Sequence, residues 1–344
     1  MQSGIIMKKC YQLCLLVVSM AVIVYAQPAV ITKTGTTAAS FLKIGVGARS
    51  IGMGGAYTAL SNDISAVYWN PAGLGLMHST EASFNHVDWI ADVKYDNAAV
   101  VIVVDGVGSL GLSFTSMNVG EMEVTTTNFP EGTGERFSAG ATLMGISYSK
   151  NLTDIFSIGF NVKYIREFVY NESAQTIALD FGTMYVAPVL NGLRLGASVS
   201  NFGSKMRLDG RDILTLIKTG AGDQNLINAQ YELGSYELPL MFRVGIATDV
   251  LQETNNRFTI AVDAVHPNDN TEYINSGVEY SWADIVFLRG GWKSAYERGG
   301  EQGLTAGGGI QYELTPTIKF VLDYAYQDFG RLQAVNYFSF GLKF

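Results

Sequence analysis

The sequence predicts an all-β fold, a transmembrane antiparallel β-barrel of about 14 strands carrying an N-terminal hatch or plug segment. Three observations point there. From residue 80 onward, apolar residues alternate with small or polar ones over successive strand-length runs, and neighbouring side chains on a strand face opposite ways. After the first 26 residues no apolar stretch approaches the ~18 residues of a helical membrane span; the longest, 98–104, is strand-sized. Connections between the runs are short at every second position, as in barrels with short periplasmic turns and longer outer loops.

Residues 1–26 read as a cleaved secretory signal: Met7, Lys8 and Lys9 precede an apolar run over 13–24, and Val24, Tyr25 and Ala26 offer small residues before Gln27. Cys10 and Cys14, the two cysteines of the chain, both fall inside it, so no disulfide is expected in the mature protein. Cys14 as a lipid-modified residue is disfavoured, because Tyr11, Gln12 and Leu13 supply no small residue just before it. Losing Lys8 and Lys9 takes 23 basic residues to 21 against 31 acidic, a net of −10, which argues against nucleic acid as a partner. A charged content of 16% with 38 glycines suits many short strands and glycine-rich turns better than a soluble enzyme.

Residues 27–79 are expected to form the hatch. The stretch 41–77 holds Gly45, Gly47, Gly52, Gly54, Gly55, Gly73 and Gly75 among small and apolar residues, which suits a compact plug better than a strand. Gly52, Met53, Gly54 and Gly55 match neither a dinucleotide fingerprint nor a Walker loop, and no Lys-Ser/Thr follows. Asn70, Pro71, Ala72 and Gly73 are turn chemistry. ARSIGMGGAYTAL followed by SAVYWNPAGL resembles the amino-terminal signature of the PorV/PorQ family of bacterial outer-membrane proteins, itself similar to the FadL family of hydrophobic-compound channels. That resemblance implies a hatch inside a fourteen-stranded barrel, with Arg49, Gly52, Gly54, Gly55, Asp63, Asn70, Pro71, Ala72 and Gly73 carrying the motif.

Residues 80–344 are the expected outer-membrane barrel. Leu110, Leu112 and Phe114 alternate with Ser109, Gly111, Ser113 and Thr115; Ile158, Phe160, Val162 and Tyr164 alternate with Ser157, Gly159, Asn161 and Lys163. Leu240, Phe242, Val244 and Ile246, and later Ile318, Phe320, Leu322, Tyr324 and Tyr326, continue the pattern. In a membrane barrel the apolar set faces lipid. The short connections fall at 105–108, 151–154, 188–192, 252–256, 281–284 and 315–316, with longer segments at 119–135, 205–237 and 294–303. Within the longest, 212–218 could form a short helical turn. With an even strand count both ends of the barrel lie in the periplasm. Phe338, Phe340, Leu342 and Phe344 share one face of the last strand, and a strand ending in phenylalanine resembles the signal read by the barrel assembly machinery.

Alternation places Lys163, Asp180, Arg243, Asp263, Glu279, Arg289, Glu313, Lys319 and Asp323 in the lumen, where they would pair with the hatch through Arg49 and Asp63. The functional alternative is that Arg243 or Arg289 meets the carboxylate of an amphipathic solute. Trp89, Tyr95, Tyr148, Tyr185, Tyr280, Trp282, Trp292 and Tyr312 are expected in the interfacial girdles. His78, His86 and His266 show no metal-ligand spacing, and no Gly-x-Ser-x-Gly elbow occurs. No cofactor or catalytic residue is indicated, and His78 and His86 are the positions to examine for a lipid-modifying barrel. The resemblance implies a non-enzymatic outer-membrane component of type IX secretion that engages a translocon or a secreted cargo protein. The alternative is FadL-like passive uptake of long-chain fatty acids or other hydrophobic compounds, in which a hydrophobic small molecule and membrane lipid are the partners.

Overall fold

A computed structural model describes residues 33–218, 226–297 and 300–344. The signal segment and its two cysteines lie outside the described residues. Fourteen antiparallel strands form the wall: β1 (Glu81–Asp88), β2 (Lys94–Val104), β3 (Gly108–Glu123), β4 (Arg136–Thr153), β5 (Phe156–Val169), β6 (Glu172–Ala187) and β7 (Leu193–Gly203), then β8 (Met241–Gln252), β9 (Asn256–Pro267), β10 (Tyr273–Trp282), β11 (Val286–Ala295), β12 (Leu304–Thr315), β13 (Ile318–Asp328) and β14 (Ala334–Lys343). Each pairs with its sequence neighbours, and β14 returns to β1 with an unbroken register from Glu81↔Lys343 to Asp88↔Asn336. The ring is therefore closed and leaves no free edge.

The turns 105–107, 154–155, 188–192, 253–255, 283–285 and 316–317 gather at one end, the periplasmic one by their brevity. Outer connections are longer and uneven, and β3 to β6 reach 14 to 18 residues where most other strands have 10 to 12. Lipid-facing positions carry the apolar set: Leu112 and Ile146 are each 62% exposed, and Phe338, Phe340, Leu342 and Phe344 all point outward. Asn201 on β7 and Ser294 on β11 sit in bulges, each closed by an inward side chain of the adjoining strand. Asp180 accepts from the Asn201 N–H at 2.7 Å and Asn275 from the Ser294 N–H at 2.8 Å.

Two expectations change. Leu214–Lys218 is not a helical turn but a strand paired with Leu226–Gln230, because β-branched Thr215 and Ile217, the latter opposite Ile227, favour an extended ribbon. Tyr95 does not join a girdle: it is 2% exposed and faces inward, in a strand whose outer half puts Lys94 and Asp96 on the outside. Trp282, Trp292 and Tyr312 are outward and exposed.

Candidate functional site

Residues 40–77 lie against the inner face of the wall as four single turns, Ser40–Lys43, Ala48–Gly52, Ala66–Trp69 and Pro71–Leu76. Short turns leave backbone groups without partners, and inward wall side chains take them. Ser109 donates to Leu74 O at 2.7 Å, Ser157 to Ala72 O at 2.9 Å, Ser198 to Trp69 O at 3.0 Å and Asn161 to Val67 O at 3.2 Å. Asn70 stitches three pieces together. Its amide donates to Thr58 O at 2.9 Å and to Thr183 O on β6 at 3.1 Å, while its oxygen accepts from Ala72 N. Pro71 opens the following turn, where a missing N–H costs nothing. The wall has no side chain there: a Cβ on Gly159 would come within 2.2 Å of the Pro71 carbonyl carbon, and one on Gly182 within 2.1 Å of Asn70 Oδ1.

The chain enters this arrangement from the outer mouth. Ala38 N donates to Glu237 O in the long outer connection, and Ala39 N to the Glu167 carboxylate at 3.0 Å. Asp269, in the outer turn after β9, holds Thr37 at 2.9 Å and Lys43 at 2.7 Å. Beneath it, Phe41, Leu42, Ile44 and Val46 are buried in one apolar cluster with Val87, Tyr95, Leu143, Ile165 and Tyr337 of the wall.

The middle and lower lumen are polar. Lys163 pairs with Asp180 at 2.6 Å and bonds Asn201. Arg243 lies 5.5 Å over the Trp69 ring and 5.7 Å over that of Tyr68, and donates to Ser200. These groups border a cavity of only ≈ 30 Å³. Asp263 receives the Tyr57 and Thr58 N–H groups at 2.9 and 2.8 Å. Gly245, at a position where an open lumen would have space, faces Asp263 Oδ1 and Ala59 N instead. Lower still, Arg49 forks onto Glu279 at 2.9 and 3.0 Å and reaches Asp63 at 3.0 Å. Glu279 also takes Arg289 at 2.7 Å, and Arg289 takes Asp323 at 2.5 Å. Burial alone would raise the Asp63 carboxyl, but the Arg49 charge, helped by bonds from Ser65 and Tyr57, holds it below the ordinary carboxylate range.

Seven of the nine expected lumen charges are thus buried inside the barrel. Glu313 and Lys319 are not: they pair with each other at 2.8 Å at the exposed periplasmic rim. Gly52 packs on Arg289 and Gly307, Gly54 on the backbone of Ser276 and Trp292, Gly55 near Trp69 and Asn275, and Gly73 on Ser61. His86 bonds Asp96 and His266 bonds Glu272; among the described residues no serine hydroxyl bonds a histidine, and no cluster suited to a metal ion occurs. Sequence reasoning missed Asp269, Glu167 and the wall serines. The inward parity of Glu167 and the serines was legible, but which backbone group each would meet was not; Asp269 sits in a turn, where no strand parity applies.

A model of the uncharacterised protein family UPF0164 matches residues 16–164. Comparison with curated proteins yields no match. Among solved structures, the chain is similar to the Ralstonia pickettii toluene transporter TbuX at 13% identity and TM-score 0.52, covering 87% of this chain and 97% of that one. A Pseudomonas aeruginosa FadL homologue follows at 13% identity and TM-score 0.51, with 85% and 96% covered. The Pseudomonas putida toluene transporter TodX gives 13%, 0.52, 87% and 97%. None of these likenesses carries the PorV/PorQ assignment. At such identities they establish architecture: the chain is a closed, fourteen-stranded outer-membrane barrel with the FadL-like fold.

Proposed function

We propose that the barrel passes a hydrophobic small molecule inward across the outer membrane, with residues 40–77 as a hatch that yields to it. One observation carries the reading: beneath the outer mouth the wall presents an apolar inner lining, and the chain's own Phe41, Leu42, Ile44 and Val46 occupy it. An apolar solute can take the place of these side chains at little cost, since both bury comparable surface. The structural neighbours named as toluene transporters support the same class of cargo. No catalytic step is part of this reading.

The test uses the absence of cysteine from residues 27–344. The Ala48→Cys/Ser339→Cys pair replaces a contact in which Ala48 N donates to Ser339 at 2.7 Å. Cells expressing it should take up a labelled monoaromatic hydrocarbon or long-chain acid only after reduction. Uptake that ignores the oxidised lock sinks the hatch, and uptake no greater than in cells without the protein sinks transport. A second reading, engagement of a secreted or translocon protein at the surface, is favoured by the outer ribbon, where Leu214, Leu216, Ile217, Leu226 and Ile227 are exposed. Copurification of a protein companion that is lost on deleting 212–231 would support it.

A further inference from the structure

Two cavities of opposite chemistry meet at the β1–β14 seam. Inside the periplasmic mouth, under the Asn62–Asp63 turn, lies a polar cavity of ≈ 330 Å³ whose walls carry five cationic and four acidic side chains. On the lipid side, an apolar groove of ≈ 820 Å³ crosses β1 to β4 and the ends of β13 and β14, and no charged residue lines it. Ser83, Phe340, Gly341 and Leu342 border both. The groove exists because Ala82 and Ala98 stand at lipid-facing positions where their neighbours are Phe84, Phe114, Phe320 and Phe340. The seam itself is hydrogen-bonded throughout, and its last pair, Glu81↔Lys343, directly follows the shared border at Leu342.

We propose that this place holds one phospholipid with a zwitterionic head, its phosphate and ammonium in the polar cavity and its acyl chains in the groove, the glycerol passing over the Glu81–Lys343 rim. The near balance of charge on the cavity walls selects a head of no net charge, because an anion or a cation gains from one half of the walls and loses to the other. Donor and acceptor are both on offer. Arg257 Nε is enclosed without a hydrogen-bond partner, while Arg257 Nη2 lies 3.1 Å from Asp284 and 3.9 Å from Glu279. A phosphate oxygen satisfies the first, and the largely exposed Asp284 carboxylate receives an ammonium. The groove's lining is almost wholly apolar, and its position by the periplasmic rim is the level of the inner leaflet. Neither transport nor surface recognition requires this site.

Native mass spectrometry of the full mature protein in mild detergent tests it, with phosphatidylethanolamine, phosphatidylglycerol and glycerophosphoethanolamine as probes. One equivalent of phosphatidylethanolamine is expected, retained about tenfold better than phosphatidylglycerol. Arg257→Gln and Ala98→Trp should each cut retention about fivefold or more, the first by removing the phosphate partner and the second by filling the groove. Heat-modifiable migration reports folding, and Ala82→Phe serves in place of Ala98→Trp should that variant not assemble. Equal retention of the two lipids, or retention untouched by the variants, overturns the proposal. Retention of glycerophosphoethanolamine as strong as that of the whole lipid means a free polar zwitterion is the ligand, and overturns the acyl-chain half.

Discussion

Arg49→Ala should loosen the inner segment while leaving the wall intact. Arg49 joins the segment to β10 through a fork on Glu279 and holds Asp63 within the segment. Removing one member of a buried ion pair costs about 3–5 kcal/mol because the other charge is left behind. Here the lower end applies. The Arg49 side chain is 20% exposed, Glu279 retains Arg289, and Asp63 retains Ser65 and Tyr57. A loss of about 3 kcal/mol is a little over a hundredfold in the docking equilibrium. Amide hydrogen exchange reads it directly, since the Ala48, Tyr57 and Thr58 N–H groups bond to wall side chains. Their protection should fall about a hundredfold, with β4 and β5 amides unchanged. Arg49→Lys, which keeps charge but not the planar fork, should fall in between. Protection within about threefold of wild type in Arg49→Ala would refute the claim that this ion cluster seats the segment.

Further outcomes follow from the same geometry. Gly159→Ala drives a Cβ into the Pro71 backbone, so an overpacking cost of about 1–3 kcal/mol or more should appear as reduced heat-modifiable folded barrel. Asp269→Ala removes the acceptor of Thr37 and Lys43, and residues 34–43 should become accessible to a membrane-impermeant lysine reagent added outside intact cells. Phe41→Ala empties part of the apolar cluster and should raise binding of a small aromatic hydrocarbon, read by ligand-observed NMR; unchanged binding counts against the chamber. The share of docking that Asp63 supplies, read as the difference between wild type and Asp63→Asn, should be flat in pH from 8 to about 5. Asp63 has a depressed folded value, so its contribution is complete above the unfolded value of about 3.9 and is lost only as pH falls through the lower one. A narrowing of that difference between pH 7 and 6 in segment exchange would refute this.

The wall was legible because lipid outside and a polar lumen inside impose a two-residue period on the spanning strands, as with Leu110, Leu112 and Phe114. Where that contrast fades, parity was lost. In β2 the inward set Tyr95, Asn97, Ala99 and Val101 is as apolar as the outward set at its outer end, so Tyr95 could not be placed from pattern alone. The ribbon of Leu214–Lys218 and Leu226–Gln230 lies outside the membrane, where no lipid enforces alternation. The ion cluster was half legible: Glu279, Arg289 and Asp323 were seen to face inward, but the partnership with Arg49 depends on a turn that brings residues 49 and 279 together. The fourteen-stranded barrel that the resemblance over 48–74 implied is the one observed, whereas a fold says nothing of the partner it implied.

Closure of the ring on β1 and β14 has a consequence for biogenesis. The pairing of Glu81 with Lys343 spans nearly the whole barrel in sequence and is the most entropically demanding contact in it. Residues 40–77 immediately precede β1 and lie within the ring. They must be gathered before the terminal strand zips, because afterwards the only ways in are the two narrow ends. The last strand is thus a clasp that fastens around its contents, and a chain whose amino-terminal part is delayed would close around water instead.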